Sequence, residues 1–530
     1  DAMLRVCPMK NGRLLCVGSL AGTAAIKRPS LMKKQDRILT QRRCAFVCFW
    51  SQTTTWFELI LHCFASAYLR RCQHGNKQNQ CAAPAAALRP TGWSFQVSAS
   101  HNSTRTAVQL NRPTVPAHLS MAPPSSLPSA WALAQEAKAK YDMQHGATRP
   151  PLSPDIEEQA DFFFRRGELS TVYLPNLIDN HAFAGIPNAG HSATADLLLC
   201  GALRLGITTN VDTLIETAGH HLLGQVFVGI DGHAAAAAPV SVSPLLKIHG
   251  CWTIDRPNTV WTQSQIATEP VKSRIDQSAE WLAQQLLNRD LLIIGYSTDW
   301  TYLNTVLEKA LGAVNPARIL IVDPVASADY IGKAPFLAAL GDGCANGNFH
   351  LRASGDEFLE RLRAEYSRSF VRQALIHGVA LYEEVYGAAP SGNLLEAPQI
   401  SNQEFWQVRR DLLGCEPFKP IVASRPHAEP LVGLTILQLR RLGAVADGSY
   451  WTLNGNRFRI IRAANEALHK VEARYARETA PAVAPDVVVA VGAQDLGLPA
   501  NVARAPTGTI ARGASSRWIT REAAQQEFFQ

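Results

Sequence analysis

Asn210 and Asp212 follow the β-branched run Ile207-Thr208-Thr209, and His249 stands beside Gly250 after the apolar Leu245-Leu246. These residue types carry chemistry. A neutral amide such as that of Asn210 donates and accepts at once, so it can orient a water or a hydroxyl. A histidine near its ordinary pKa suits general-base work at neutral pH. Asn and Asp also favour turns on their own account, so this pair reads equally as an Asx turn.

The elements that must position these residues alternate. A helix-like run ends at Gly206, and the strand Ile207–Thr209 delivers Asn210 and Asp212 to its C-terminal end. Leu291–Ile294 reads as a buried strand ending in Gly295-Tyr296-Ser297, and Ile319–Val322 as another ending in Asp323-Pro324. Between them lie amphipathic stretches, Arg274–Leu287 with Ile275, Ala279, Leu282 and Leu286 on one stripe, and Tyr302–Leu311 with Leu303, Val306, Leu307 and Ala310. Strands alternating with such helices predict an α/β fold, a Rossmann-like parallel sheet with helices on both faces. Ligands bind such sheets beyond the carboxyl ends of the strands, where these polar residues fall. Gly232-His233 and the alanines Ala234–Ala238 read as an insert or loop outside the core.

Taken in order, T-N-V-D (209–212), K-I-H-G (247–250), G-Y-S (295–297) and V-D (322–323) resemble the motif series of the sirtuin family, and Pro187-Asn188-Ala189-Gly190-His191 resembles its P-N-x-x-H segment. The resemblance runs from about Leu127 to Leu351. It implies an NAD-binding core with NAD as substrate. It assigns catalysis to Asn210 and His249, and cofactor contacts to Thr209, Asp212, Gly250, Gly295, Ser297 and Asp323. Two departures stand out. No glycine occurs between Gly92 and Gly146, so the family's Gly-rich phosphate loop is missing ahead of Leu127-Pro128, and the G-A and G-L-P of Val487–Pro499 read as a strand and turn instead. The 34 residues between Asp212 and Lys247 hold no cysteine, so the four-cysteine zinc module of protein-deacylating sirtuins is missing too and no metal is expected. That layout resembles the NAD-hydrolysing bacterial sirtuin-like proteins of phage defence. The alternatives are an NAD-dependent protein deacylase and an inactive nucleotide- or nucleic-acid-binding module.

The chain has 530 residues and a net charge of +7, but residues 1–120 carry 16 Lys or Arg against 3 Asp or Glu, and residues 121–530 carry 35 against 41. Seven of the 11 cysteines lie between Cys7 and Cys81. These breaks divide the chain into a basic, Cys-rich extension (1–120), disordered or non-native with a native start near Met121, an NAD-binding domain (121–355) and an α+β accessory domain (356–530). The remaining cysteines show no pairing pattern, which suits a cytoplasmic location. The apolar run Trp56–Leu69 is too short for a membrane span. The expected partners are NAD and a second copy or a defence partner, with no membrane and no nucleic acid.

In the N-terminal half of the core, Ala130–Tyr141 is expected to be helical, and Asp155 to cap a helix carrying Phe162, Phe163 and Phe164. In the accessory domain, Leu431–Leu442 reads as a helix closed by Gly443, and Asn454-Gly455 as the turn of a hairpin. Arg440, Arg441, Arg457, Arg459 and Arg462 would be the phosphate contacts of a winged helix, the nucleic-acid alternative.

Overall fold

The computed structural model describes residue 120 and residues 123–296, 298, 300–344, 348–414, 428–476, 478, 484–496 and 516–529, all within the compact unit of residues 63–530. Ser297 lies outside the described residues, as does all of the extension before Ser120.

Two three-stranded parallel sheets form the N-terminal half. The first has the order β1-β3-β2, from Gly206–Thr208 (β1), Phe227–Gly229 (β2) and Pro244–Lys247 (β3). The second has the order β4-β5-β6, from Asp290–Ile294 (β4), Arg318–Val322 (β5) and Asn348–Leu351 (β6). The central strands are the buried ones. Pro244–Lys247 is buried throughout and Ile319–Val322 likewise, while the edge strands are half-buried, as expected of parallel strands covered on both faces.

The helices that matter for the site are α1 (Ala130–His145), α2 (Ile156–Phe164), α3 (Ala189–Leu199), α4 (Leu214–His221), α5 (Gly232–Ala236), α6 (Val271–Gln285) and α7 (Thr301–Leu311). Their starts follow local chemistry. Asp155 accepts from the Glu157 and Glu158 N–H groups, and Ser129 from that of Ala132, filling donors that a helix start leaves unpaired. Phe163 is the buried member of the phenylalanine triplet, stacked on Tyr173 with ring centroids 5.0 Å apart.

Two expectations are corrected. The helix before β1 ends at Leu199, not at Gly206, which opens the strand; Leu203 instead bonds back to the Leu197 carbonyl in a turn. The alanine stretch is a core element. Asp231 caps it by accepting from Ala234, Ala235 is buried, and a Cβ on Gly232 would lie 2.0 Å from the Gln277 carbonyl of α6. Alanine has no amphipathic signature, so tight packing of small residues leaves no periodic pattern to read.

The C-terminal half has its own core. The helices Gly355–His377 (α8), Val379–Tyr386 (α9), Asn402–Leu413 (α10) and Ala428–Arg441 (α11) cover one face of a mixed sheet. Its order is β11-β10-β9-β8-β7, from Val445–Asp447 (β7), Tyr450–Leu453 (β8), Asn456–Arg462 (β9), Val487–Val491 (β10) and Arg517–Thr520 (β11). β8 and β9 form the expected hairpin, with Asn454 at φ +50° and Gly455 at φ +79°. Three of the five arginines of the winged-helix reading are committed to partners or buried. Arg459 is buried and paired with Asp411 (2.8 Å) and Glu478 (2.7 Å), Arg462 is buried, and Arg440 donates to the carbonyls of Leu394 and Glu396. Guanidinium groups committed to these partners do not present a phosphate-binding face.

Candidate active site

One cavity of about 150 Å³ opens beside the end of β1. Thr209, Asn210, Asp212, His249 and Ser120 form its polar side; Phe183, Trp261, Trp300, Tyr302 and several aliphatic side chains form the rest. Four of the expected site residues therefore meet at one surface although β1 and His249 are separated by the β2 and α5 segment. The parallel register of β1 on β3 brings them together, since Thr208 lies opposite Lys247 and the Ile248 N–H reaches the Thr208 carbonyl. Both chain segments then leave the sheet at the same end.

Ser120 ties the polar side together. Its Oγ accepts from Asn210 Nδ2 at 2.9 Å and donates to Asp212 Oδ2 at 2.7 Å. It also lies 3.1 Å from His191 Nε2. His191 caps its own helix, with the Asn188 N–H donating to its Nδ1 at 3.2 Å and its own N–H donating to Asn188 Oδ1. Burial lowers the pKa of His191, against the raising influence of Asp212 and Asp356. A neutral ring with Nδ1 already accepting carries its proton on Nε2, so His191 donates to Ser120. Serine, histidine and aspartate thus meet here without forming a nucleophilic triad, which needs a histidine that accepts from the serine.

Asp212 is held from both ends. Its Oδ1 accepts from the Leu214 N–H in an Asx turn just ahead of α4, and the buried Lys247 donates to its carbonyl while pairing with Glu216 at 2.6 Å. His249 is 2% exposed. Burial, with Arg274 adding to it, lowers its pKa to about 3, against a hydrogen bond to the Thr209 backbone that raises it. Its Nε2 is buried with no hydrogen-bond partner among the described residues, on a residue that lines the cavity. The imidazole is therefore neutral with one unused ring nitrogen, and burial makes it a weaker base than the ordinary histidine expected from the sequence.

The other expected contacts lie elsewhere. Gly250 has φ +86° and a Cβ there would sit 3.0 Å from the Arg274 guanidinium, so backbone shape and crowding account for the glycine. Gly295 has φ +60° and donates to the Val322 carbonyl. Asp323 is fully buried and its Oδ1 accepts from Val325 N–H in an Asx turn. None of the three lines the cavity.

Residues 204–331 match the family model of the SIR2-like domain. That stretch is SIR2-like. The matched span runs from the turn before β1 to the helix after β5, and it contains Asn210, Asp212 and His249 but not Ser120 or His191. No curated protein matches the chain. Within the SIR2-like domain and its flanks, sequence reasoning missed Ser120, which precedes the boundary drawn from charge, and the aromatic half of the cavity. Nothing in the local sequence of Trp261 or Trp300 marks either as a wall of this site. Among the described residues no cluster of His, Cys, Asp and Glu is built to hold a metal, and no helix is long and apolar enough to cross a membrane.

Proposed function

We propose that the SIR2-like domain binds NAD and hydrolyses it to nicotinamide and ADP-ribose, with residues 121–355, their site completed by Ser120, as the NAD domain and residues 356–530 as an accessory domain of a phage-defence protein. The carrying observation is that His249, whose buried Nε2 has no hydrogen-bond partner among the described residues, lines the same cavity as Asn210. These groups fit the glycosidic end of NAD. Cleaving that bond develops positive charge at the anomeric carbon, as in glycoside hydrolysis. His249 Nε2 accepts a proton from water or a ribose hydroxyl. Asn210, its amide nitrogen anchored on Ser120, holds its carbonyl oxygen fixed to orient that water. Asp212 places a carboxylate where positive charge grows. Three described cysteines are free thiols, which suits a cytoplasmic setting.

The test is incubation of the full chain with NAD, with and without an acetylated peptide. Nicotinamide and ADP-ribose without peptide support hydrolysis. O-acetyl-ADP-ribose formed only with peptide supports a deacylase, and no nicotinamide under either condition overturns both readings. Protection of bacteria from phage by the parent gene, lost with His249→Ala, tests the defence role.

A further inference from the structure

Away from the cavity, where α10 packs across α3 and α8, three arginines gather. Arg363 of α8 and Arg409 and Arg410 of α10 are 5%, 0% and 9% exposed. Asp196 of α3 lies among them, and its Oδ2 is taken by Arg409, which also holds Ser367. Arg410 donates to the Leu222 carbonyl, yet its Nε is buried without a hydrogen-bond partner among the described residues and stands 3.9 Å from Asp196 Oδ1. No hydrogen bond or ion pair joins Arg363 to any described residue. Glu360, one turn back along α8, attracts it without pairing with it. The Arg363 guanidinium lies 5.1 Å from the centre of a Trp406 ring, and that of Arg410 lies 5.9 Å from it. A guanidinium keeps its proton in a protein. Arg363 and Arg410 are therefore two buried positive charges that no carboxylate receives in a hydrogen bond.

We infer that Arg363 and Arg410, beside Trp406, form a binding site for a phosphoryl anion at the seam between the two halves of the chain. Taking a charge out of water is costly unless a counter-charge receives it. A phosphoryl dianion supplies two negative charges at once, and its oxygens match the forked donors of guanidinium groups. Trp406 is half-buried, which puts the edge of the group at the protein surface. None of these residues lines the cavity beside β1, so the inference is independent of the hydrolase reading. An anion seated here also relieves the repulsion among the arginines that hold α3, through Asp196, and the end of α4, through Leu222.

Thermal melts of the full chain with rising inorganic phosphate, against chloride at matched ionic strength, test this. Phosphate should raise the melting temperature saturably where chloride does not. Arg363→Gln should melt at or above the parent's temperature in phosphate-free buffer, because it deletes an uncompensated buried charge. Its phosphate affinity should fall by about 10- to 100-fold, the worth of a hydrogen bond to a charged group. Arg363→Lys keeps the charge but loses the fork, so its affinity should fall between the two. Pyrophosphate and adenosine diphosphate distinguish the sources. Tighter binding of either than of phosphate, lost in Arg363→Gln, assigns the site to a phosphate ester or anhydride, and no gain over phosphate assigns it to the free ion. Three results overturn the site. One is a phosphate shift no larger than that of chloride. Another is an equal phosphate shift in Arg363→Gln, which places the anion elsewhere. The third is an Arg363→Gln protein that melts well below the parent without phosphate, which would mean that the fold already satisfies this arginine.

Discussion

Asp196, in the middle of α3, pairs with Arg409 of α10, and both side chains are fully buried. The pair joins segments 213 residues apart and ties the C-terminal half to the helix whose first turn carries Asn188 and His191. Arg409 Nε also donates to Ser367 Oγ of α8 at 3.0 Å, and the next residue, Arg410, donates to the Leu222 carbonyl at the end of α4. One turn of α10 therefore grips, from behind, the two helices that begin at the site.

Breaking that pair on one side should be costly. Arg409→Leu leaves the Asp196 carboxylate buried without its main partner, and about 3–5 kcal/mol of stability should be lost. The double variant Asp196→Leu with Arg409→Leu should recover much of the loss, because two apolar side chains replace two buried charges. Urea denaturation of the three proteins measures this. A double variant no more stable than Arg409→Leu would show that the charge is not what the site needs.

Asn210→Ala should lower the rate of NAD turnover by about two orders of magnitude, as loss of a fixed polar group commonly does. His249→Gln should cost about 100- to 10,000-fold as loss of a general base. Nicotinamide release gives the rates, and far-UV circular dichroism with the melting temperature confirms that each variant folds. Undiminished turnover in the double variant would remove both residues from the mechanism.

Ser120→Ala should destabilise the chain by about 1–3 kcal/mol, since it strands two donors and one carboxylate oxygen in a closed site. It should also release the Asn210 amide and so lower turnover more than binding. Thermal melts of Ser120→Ala and Ser120→Thr discriminate this from a packing effect, because threonine keeps the hydroxyl. A melting temperature for Ser120→Ala equal to that of the parent would mean that the hydroxyl ties nothing together.

Acid should destabilise the parent through His249. Its folded-state pKa is depressed to about 3 from an ordinary 6.5. The unfolded chain therefore takes up a proton below pH 6.5 that the native chain refuses. Stability is full above that point and falls as pH drops from 6.5 toward 3, by about 1.4 kcal/mol per unit well inside the window. His191 and His350, both lowered chiefly by burial, act in the same direction. Urea midpoints at pH 7 and pH 5 should differ less for His249→Gln than for the parent. Equal losses in the two proteins would place the ionisation elsewhere.

Several strands, among them β1, β4, β5 and the β8–β9 hairpin, and some helices were legible because their signals are local, whereas β2, β6, β7 and β11 were not read. Buried runs such as Ile319–Val322 announce themselves, Asp155 caps with its own side chain, and Asn454-Gly455 carries the positive φ its turn requires. The order of those strands, together with the polar residues at their ends, brought Asn210, Asp212 and His249 into view as one group. What local pattern could not supply is any relation between distant segments. The Ser120 hydroxyl reaches Asn210 across 90 residues, and Phe183, Trp261 and Trp300 become one wall only when three separate stretches pack. The alanine stretch became core because glycine and alanine let two backbones approach closely, which leaves no periodicity behind. The sequence by itself determined the alternation of elements and the residues at the strand ends, since both follow from neighbours along the chain. Only the tertiary structure decided which of those residues share a cavity, which way His191 points its proton, and that Asp323 turns its carboxylate into its own loop, because each depends on burial and on partners that chain neighbours do not specify.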